Sequence, residues 1–173
     1  DLVYRGRQAP ERRFSRCLLF VSFFPQLVAG PIERASHLLQ QFERPFRFDP
    51  ARVNSGLSLA LWGLFKKVVI ADRLAVYVNM VYANPDAHGA ATLLLATYFF
   101  AFQIYCDFSG YTDIATGVAR TMGIDLMQNF RLPYLAGSIS DFWQRWHISL
   151  STWFRDYVYI PLGGNRASAP RWA

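Results

Sequence analysis

Apolar and polar positions run along this chain in blocks, and the length of each block limits what it can become. Cys17 to Ile32 carries no charge, but its sixteen residues would rise only about 24 Å as a helix, and Pro25 interrupts them. A bilayer core is about 30 Å thick, so this block predicts a kinked, tilted or partial span. Val53 to Phe65 and Leu74 to Pro85 are also uncharged, and Lys66, Lys67, Asp72 and Arg73 lie between them. Two readings fit: helices that end or bend at an interface, or one long helix from which the lysines snorkel. Ala90 to Cys106 is the cleanest candidate span, with seventeen uncharged residues after the loop signal Asn84-Pro85-Asp86.

Beyond Cys106 the pattern turns polar. Asp107 to Asp113 (DFSGYTD) mixes acids, glycine and hydroxyls, yet lacks the alternating oxygen ligands and terminal Glu of a calcium loop. It predicts a helix break, with Thr112 capping a short helix from Asp113 to Met122 that stops at Gly123. Asn129 to Gly137 reads as a connector containing Pro133. Residues 138–160 then read as one amphipathic helix of about five or six turns. Ser138 with Asp141 three residues on marks its start, and Pro161, Gly163 and Gly164 mark its stop.

On that helix Trp143, Trp146, His147, Leu150, Phe154 and Tyr157 share one face, opposite Asp141, Gln144, Arg145, Ser149, Thr152, Arg155 and Asp156. Asp141 precedes Arg145 by four residues, the order that favours an ion pair and needs no catalytic role. His147 is different, because an imidazole among indoles must hydrogen-bond to a neighbour or line a cavity that admits water or substrate. Both readings stay open at this stage. The aromatic stripe suits packing or interfacial anchoring better than a binding surface, for which Trp143 and Trp146 are the candidates.

Composition moves the chain toward lipid. It is 53% hydrophobic and 17% aromatic with 17% charged residues, where soluble domains carry about 25% charged. A mean hydropathy of +0.12 is too low for uniform spans, so interfacial segments must be interleaved with buried ones. The net charge of +6 forms no nucleic-acid stripe; Arg5, Arg7, Arg12, Arg13 and Arg16 crowd residues 1–16 and read as a cytoplasmic flank. Ala29-Gly30-Pro31 is a poor signal-peptide cleavage site. Cys17 and Cys106 lie in apolar runs without zinc or disulfide spacing, which predicts two small buried hydrophobes and no metal. No GxSxG motif is present and neither cysteine is a plausible nucleophile. The chain starts at Asp1 and stops two residues after Arg171, which reads as part of a longer protein, here a single partial domain over 1–173.

Three passages carry a resemblance: LVAGPIERASHLLQQF (Leu27 to Phe42), CDFSGYTDIATGVARTMGI (Cys106 to Ile124) and NFRLPYLAGSISDFWQRWHISLSTWFRDYVYIPLGGNR (Asn129 to Arg166). Together they resemble the membrane-bound O-acyltransferases, in the bacterial branch that acetylates alginate and is related to teichoic-acid D-alanyl transfer. The resemblance implies an all-α, polytopic protein of the bacterial inner membrane with kinked or partial spans. It implies transfer of an acyl group, acetyl by expectation, from a thioester donor (acetyl-coenzyme A or carrier-linked) to exopolysaccharide hydroxyls. No cofactor is expected to be bound. The implied partners are the lipid bilayer and a periplasmic SGNH-type acetyltransferase, with no nucleic acid.

The resemblance also implies a principal histidine in a Trp-His-Gly-type motif beyond residue 173, so residues 1–173 alone should be inactive. His147 matches the upstream polar site facing the same chamber. His37 and His88 match neither and read as surface residues. The competing function is a non-catalytic membrane scaffold in a polysaccharide-modification or export complex. A lipid-headgroup-binding or permease piece is a third reading, against which the Asn129 to Arg166 passage argues.

Overall fold

Asp49 opens the longest helical run. Its Oδ1 accepts the N–H groups of Ala51 (2.9 Å) and Arg52 (3.3 Å), and Pro50 occupies the first turn, where no amide partner is needed. The computed structural model describes residues 11–27 and 30–164, so Arg5 and Arg7 of the basic flank lie outside the described residues. Among the described residues all regular structure is helical, as expected. They fall into two compact bodies: residues 11–27, 30 and 34–126 in the first, 31–33 and 127–164 in the second.

In the first body α1 (Phe14–Ser22) is nine residues long and is followed by a single turn at Phe24–Gln26 containing the buried Pro25. That is the partial element the short apolar block implied. Arg16 on α1 pairs with Glu11 at 3.2 Å and with Glu43. Contrary to expectation Cys17 is exposed, because α1 buries none of its residues completely; Cys106 is buried as predicted. A short α2 (Ala35–Gln41) contributes Leu38 to a core with Phe23, Ala119 and Leu126, and leaves His37 exposed.

The run that Asp49 opens is α3 (Pro50–Leu64), a wide π-helical segment at Phe65–Ala71, and α4 (Asp72–Ala83), without a break. Of the two readings of this region, the single long helix is the one found, but its lysines do not both snorkel. Lys66 is buried, with Nζ 2.7 Å from Asp113 and 2.9 Å from Ser109 Oγ, while Lys67 reaches Asp72 at 2.8 Å and Asp107 at 2.6 Å. The π segment supplies the extra residue that re-aims this turn. A turn at Pro85–Ala87 follows, ending at the half-buried His88.

The partner of this run is α5 (Ala90–Thr121), 32 residues long and, among the described residues, the one helix long and apolar enough to cross a membrane. The predicted break at Asp107 to Asp113 is absent. Thr112 is no cap; its hydroxyl donates to Phe108 O one turn back at 3.1 Å, and Asp107 and Asp113 are held by the lysines opposite. Polar content suggested a loop, but a packed helix neighbour supplied the partners a loop would have sought in water. Gly110 and Gly117 of α5 face Gly63 and Gly56 of α3 in antiparallel order. A methyl on Gly63 would stand 2.5 Å from Gly110 O, and one on Gly56 would stand 2.6 Å from Gly117 O. The helices therefore touch backbone to backbone. The predicted stop at Gly123 (φ +81°) holds, with Gly123 N–H donating to Arg120 O and Ile124 N–H to Ala119 O, a Schellman closure.

Candidate functional site

The second body contains the histidine, and it does not sit within a helix. Where the hydrophobic period predicts one helix over 138–160, two short helices stand: α6 (Ile139–Arg145) and α7 (Ile148–Phe154), the latter running into a π turn at Arg155–Tyr159. The predicted start is correct. Ser138 Oγ accepts from Asp141 N–H at 3.1 Å, and Asp141 Oδ2 reaches back to Gly137 N–H at 3.2 Å. Arg145 lies 2.7 Å from Asp141, and this bond holds the Asp141 carboxyl below its ordinary pKa.

The break is at Trp146 and His147. Trp146 is extended, and His147 adopts the left-handed conformation (φ 46°, ψ 54°), costly for a residue with a β-carbon. The connector 129–131 secures both sides of it: Arg131 N–H donates to Arg145 O and Ile148 N–H donates to Asn129 O, each at 2.9 Å. An amphipathic period continues through such a residue without registering it, so the stripe is divided between two axes.

That geometry assembles a polar group from three separate segments. Asn129 is 1% exposed, and its Oδ1 accepts from His147 Nδ1 (3.0 Å), Ser149 Oγ (2.9 Å) and Ser149 N–H (3.3 Å). Ser149 Oγ in turn accepts from Ile32 N–H at 3.0 Å. Glu33, also buried, accepts from Met127 N–H and so fixes the same short segment. A carbonyl oxygen can only accept, so His147 carries its proton on Nδ1 and presents a lone pair at Nε2. Burial pushes the imidazole pKa below its ordinary value, which favours the neutral ring. Asn129 Nδ2 is buried and has no hydrogen-bond partner among the described residues, a donor of the kind that native interiors rarely leave unmet.

Aromatic rings flank this group. Phe130 lies 6.4 Å from the His147 ring and packs edge-on to Trp146 at 5.0 Å, and Phe142 stacks on Trp146 at 5.6 Å. Of the two tryptophans singled out in the sequence, Trp146 therefore adjoins His147. Trp143 is 56% exposed with its ring against Phe142, outside the polar group. Ser149, placed on the solvent face by the helical period, is completely buried beside the histidine. Asn129 and Ser149 are the residues that the sequence pattern failed to single out. Only the left-handed residue between Trp146 and Ile148 could have signalled them, and it leaves no mark in hydropathy. Arg155 and Asp156 pair with each other at 2.9 Å on the π turn.

The family model described as MBOAT, membrane-bound O-acyltransferase family, matches residues 13–172. This chain belongs to that family. Over 167 residues it is 46% identical to a Pseudomonas putida protein named probable alginate O-acetylase AlgI, covering 95% of this chain and 33% of that protein. It is 44% identical over 150 residues to the peptidoglycan O-acetyltransferase of Helicobacter pylori, covering 86% and 28%. It is 33% identical over 147 residues to the teichoic acid D-alanyltransferase of Bacillus subtilis, covering 84% and 37%. The chain thus spans about a third of the length of the curated relatives it matches. All three relatives are named for the transfer of an acetyl or a D-alanyl group.

Proposed function

We propose that the full-length protein is a multi-pass enzyme of the bacterial inner membrane that transfers an acetyl group from a thioester donor to hydroxyls of an alginate-like exopolysaccharide. In that reaction the hydroxyl oxygen bonds to the thioester carbonyl carbon, the carbon–sulfur bond breaks, and the hydroxyl proton leaves with the departing thiol. The observation that carries a role for His147 is the imidazole held by Asn129 in its Nδ1–H form on a left-handed backbone. A neutral ring of that tautomer accepts at Nε2. It is therefore suited to orient the acceptor hydroxyl, or the principal base expected elsewhere in the protein, and not to polarise the thioester carbonyl.

Trp146 forms the aromatic wall beside this group, and the exposed Trp143 is assigned to contact with substrate or lipid. The donor is acetyl-coenzyme A or a carrier-bound thioester. A periplasmic SGNH-type acetyltransferase is the proposed partner protein. Support comes from the family match and from the relatives' shared chemistry of acyl transfer to surface polymers.

The test is His147→Ala in the full-length protein, with polymer acetylation measured at matched membrane abundance. Transfer should fall more than tenfold while insertion stays near normal. Equal transfer by the two proteins removes His147 from the mechanism, and loss of the variant from membranes assigns the ring to packing.

A further inference from the structure

A second polar concavity lies in the first body, separate from the histidine group. The segment Arg44-Pro45-Phe46-Arg47-Phe48 links α2 to α3, and beside it is a cavity of about 350 Å³, in the size range of small-ligand sites. Arg44, Arg47 and Arg52 line it, with Gly123 at the end of α5 forming part of the opposite wall. Gly123 lacks a β-carbon where one would stand 3.1 Å from an Arg52 guanidinium nitrogen, so that group lies against the helix end.

Among the described residues none of these three guanidinium groups has a carboxylate partner, unlike Arg16, Arg145 and Arg155. Two acids also line the cavity. Asp49 already accepts two amide N–H groups at the start of α3, and Asp125 is exposed. Three arginines lining one cavity offer planar forks that match the oxygens of a phosphate group.

The surroundings identify the source of that phosphate. Phe46 and Phe48 are 64% and 72% exposed and alternate with the arginines, so apolar rings and cationic forks are offered together. The candidate span α5 is about 48 Å long, against about 40–45 Å for a bilayer with its headgroups. Its C-terminal end, which forms the cavity wall, therefore arrives at headgroup depth when the helix crosses.

We propose that this cavity binds the phosphodiester of an anionic phospholipid, with Phe46 and Phe48 entering the acyl region beneath it. The arginines ligate the phosphate, and the rings hold the segment at the interface.

The experiment uses full-length protein, delipidated in detergent and titrated with phosphatidylglycerol, phosphatidylcholine or inorganic phosphate while its melting temperature is followed. Phosphatidylglycerol should raise the melting temperature of the natural protein. In the variant with Arg44→Gln, Arg47→Gln and Arg52→Gln, the lipid concentration giving half the rise should increase at least fivefold. If the triple variant does not fold, Arg47→Glu on the exposed segment serves, with at least a threefold increase expected. An unchanged midpoint in the folded variant overturns the assignment. So does equal stabilisation by phosphatidylcholine, which indicates apolar contact alone, or by inorganic phosphate at the same concentration, which indicates a soluble phosphorylated ligand.

Discussion

The α3–α5 pair and the kink at His147 both place polar side chains out of water, and they do so to opposite ends. Between the long helices the polar groups close on one another: the buried Lys66 on Asp113 and Ser109 and, at the exposed edge, Lys67 on Asp72 and Asp107. The backbones are in contact and neither lysine has a left-handed backbone. At the kink, the backbone is left-handed, one amide carbonyl accepts three bonds, and the amide nitrogen of the same side chain is buried without a partner. A closed network holds helices in register, whereas an open and strained one is where a fold keeps chemistry.

The largest effect should come from opening the closed network. Lys66→Met in the full-length protein leaves Asp113 without its main partner and should cost about 3–5 kcal/mol, seen as loss of folded protein from membranes. Adding Asp113→Leu should recover most of that loss; a double variant as poor as the single one would show that the pair does more than cancel charge. Next, Gly63→Leu should cost about 1–3 kcal/mol by forcing α3 from α5, measured as a lower melting temperature in detergent. Gly89→Ala, where a methyl meets nothing, is the control that should change little.

At the kink the expected effect is on activity. Asn129→Leu frees the His147 tautomer and removes the Ser149 bond, and should lower transfer about tenfold, or about 1.4 kcal/mol of transition-state stabilisation, at matched abundance. Ser149→Ala keeps the His147–Asn129 bond and should lower it less. The smallest effect concerns pH. Because burial lowers the His147 pKa, the unfolded chain binds more protons than the folded one between the folded-state value and about 6.5. The stability held above about pH 6.5 should then decline as pH falls through that window and level off below it. Melting temperatures at pH 5.5, 6.5 and 7.5 should show this slope in the natural protein and a shallower one in His147→Gln.

Element boundaries with a local chemical cause were readable in advance. Ser138 with Asp141 and Gly123 each act within one turn, and the seventeen-residue apolar run from Ala90 announced α5. What could not be read depended on partners distant in sequence. DFSGYTD looked like a break because Lys66 and Lys67, which satisfy its acids, lie some forty residues earlier. Cys17 looked buried because its run is apolar, yet α1 is covered on too little of its surface. At the site, His147 was visible as an oddity, while Asn129 passed for connector and Ser149 for a solvent-facing residue, since one left-handed residue redirected everything after it. Family resemblance pointed to His147, and the backbone then showed which side chains surround it.

The conformation at position 147 has a consequence for anyone wishing to transplant or stabilise this region. Glycine would relax the main chain there at little steric cost, so His147→Gly is the change a stability-guided redesign would choose first. The same change deletes the only ring that Asn129 holds. Comfort of the backbone and possession of the imidazole are alternatives at this one position, and the natural chain has taken the ring.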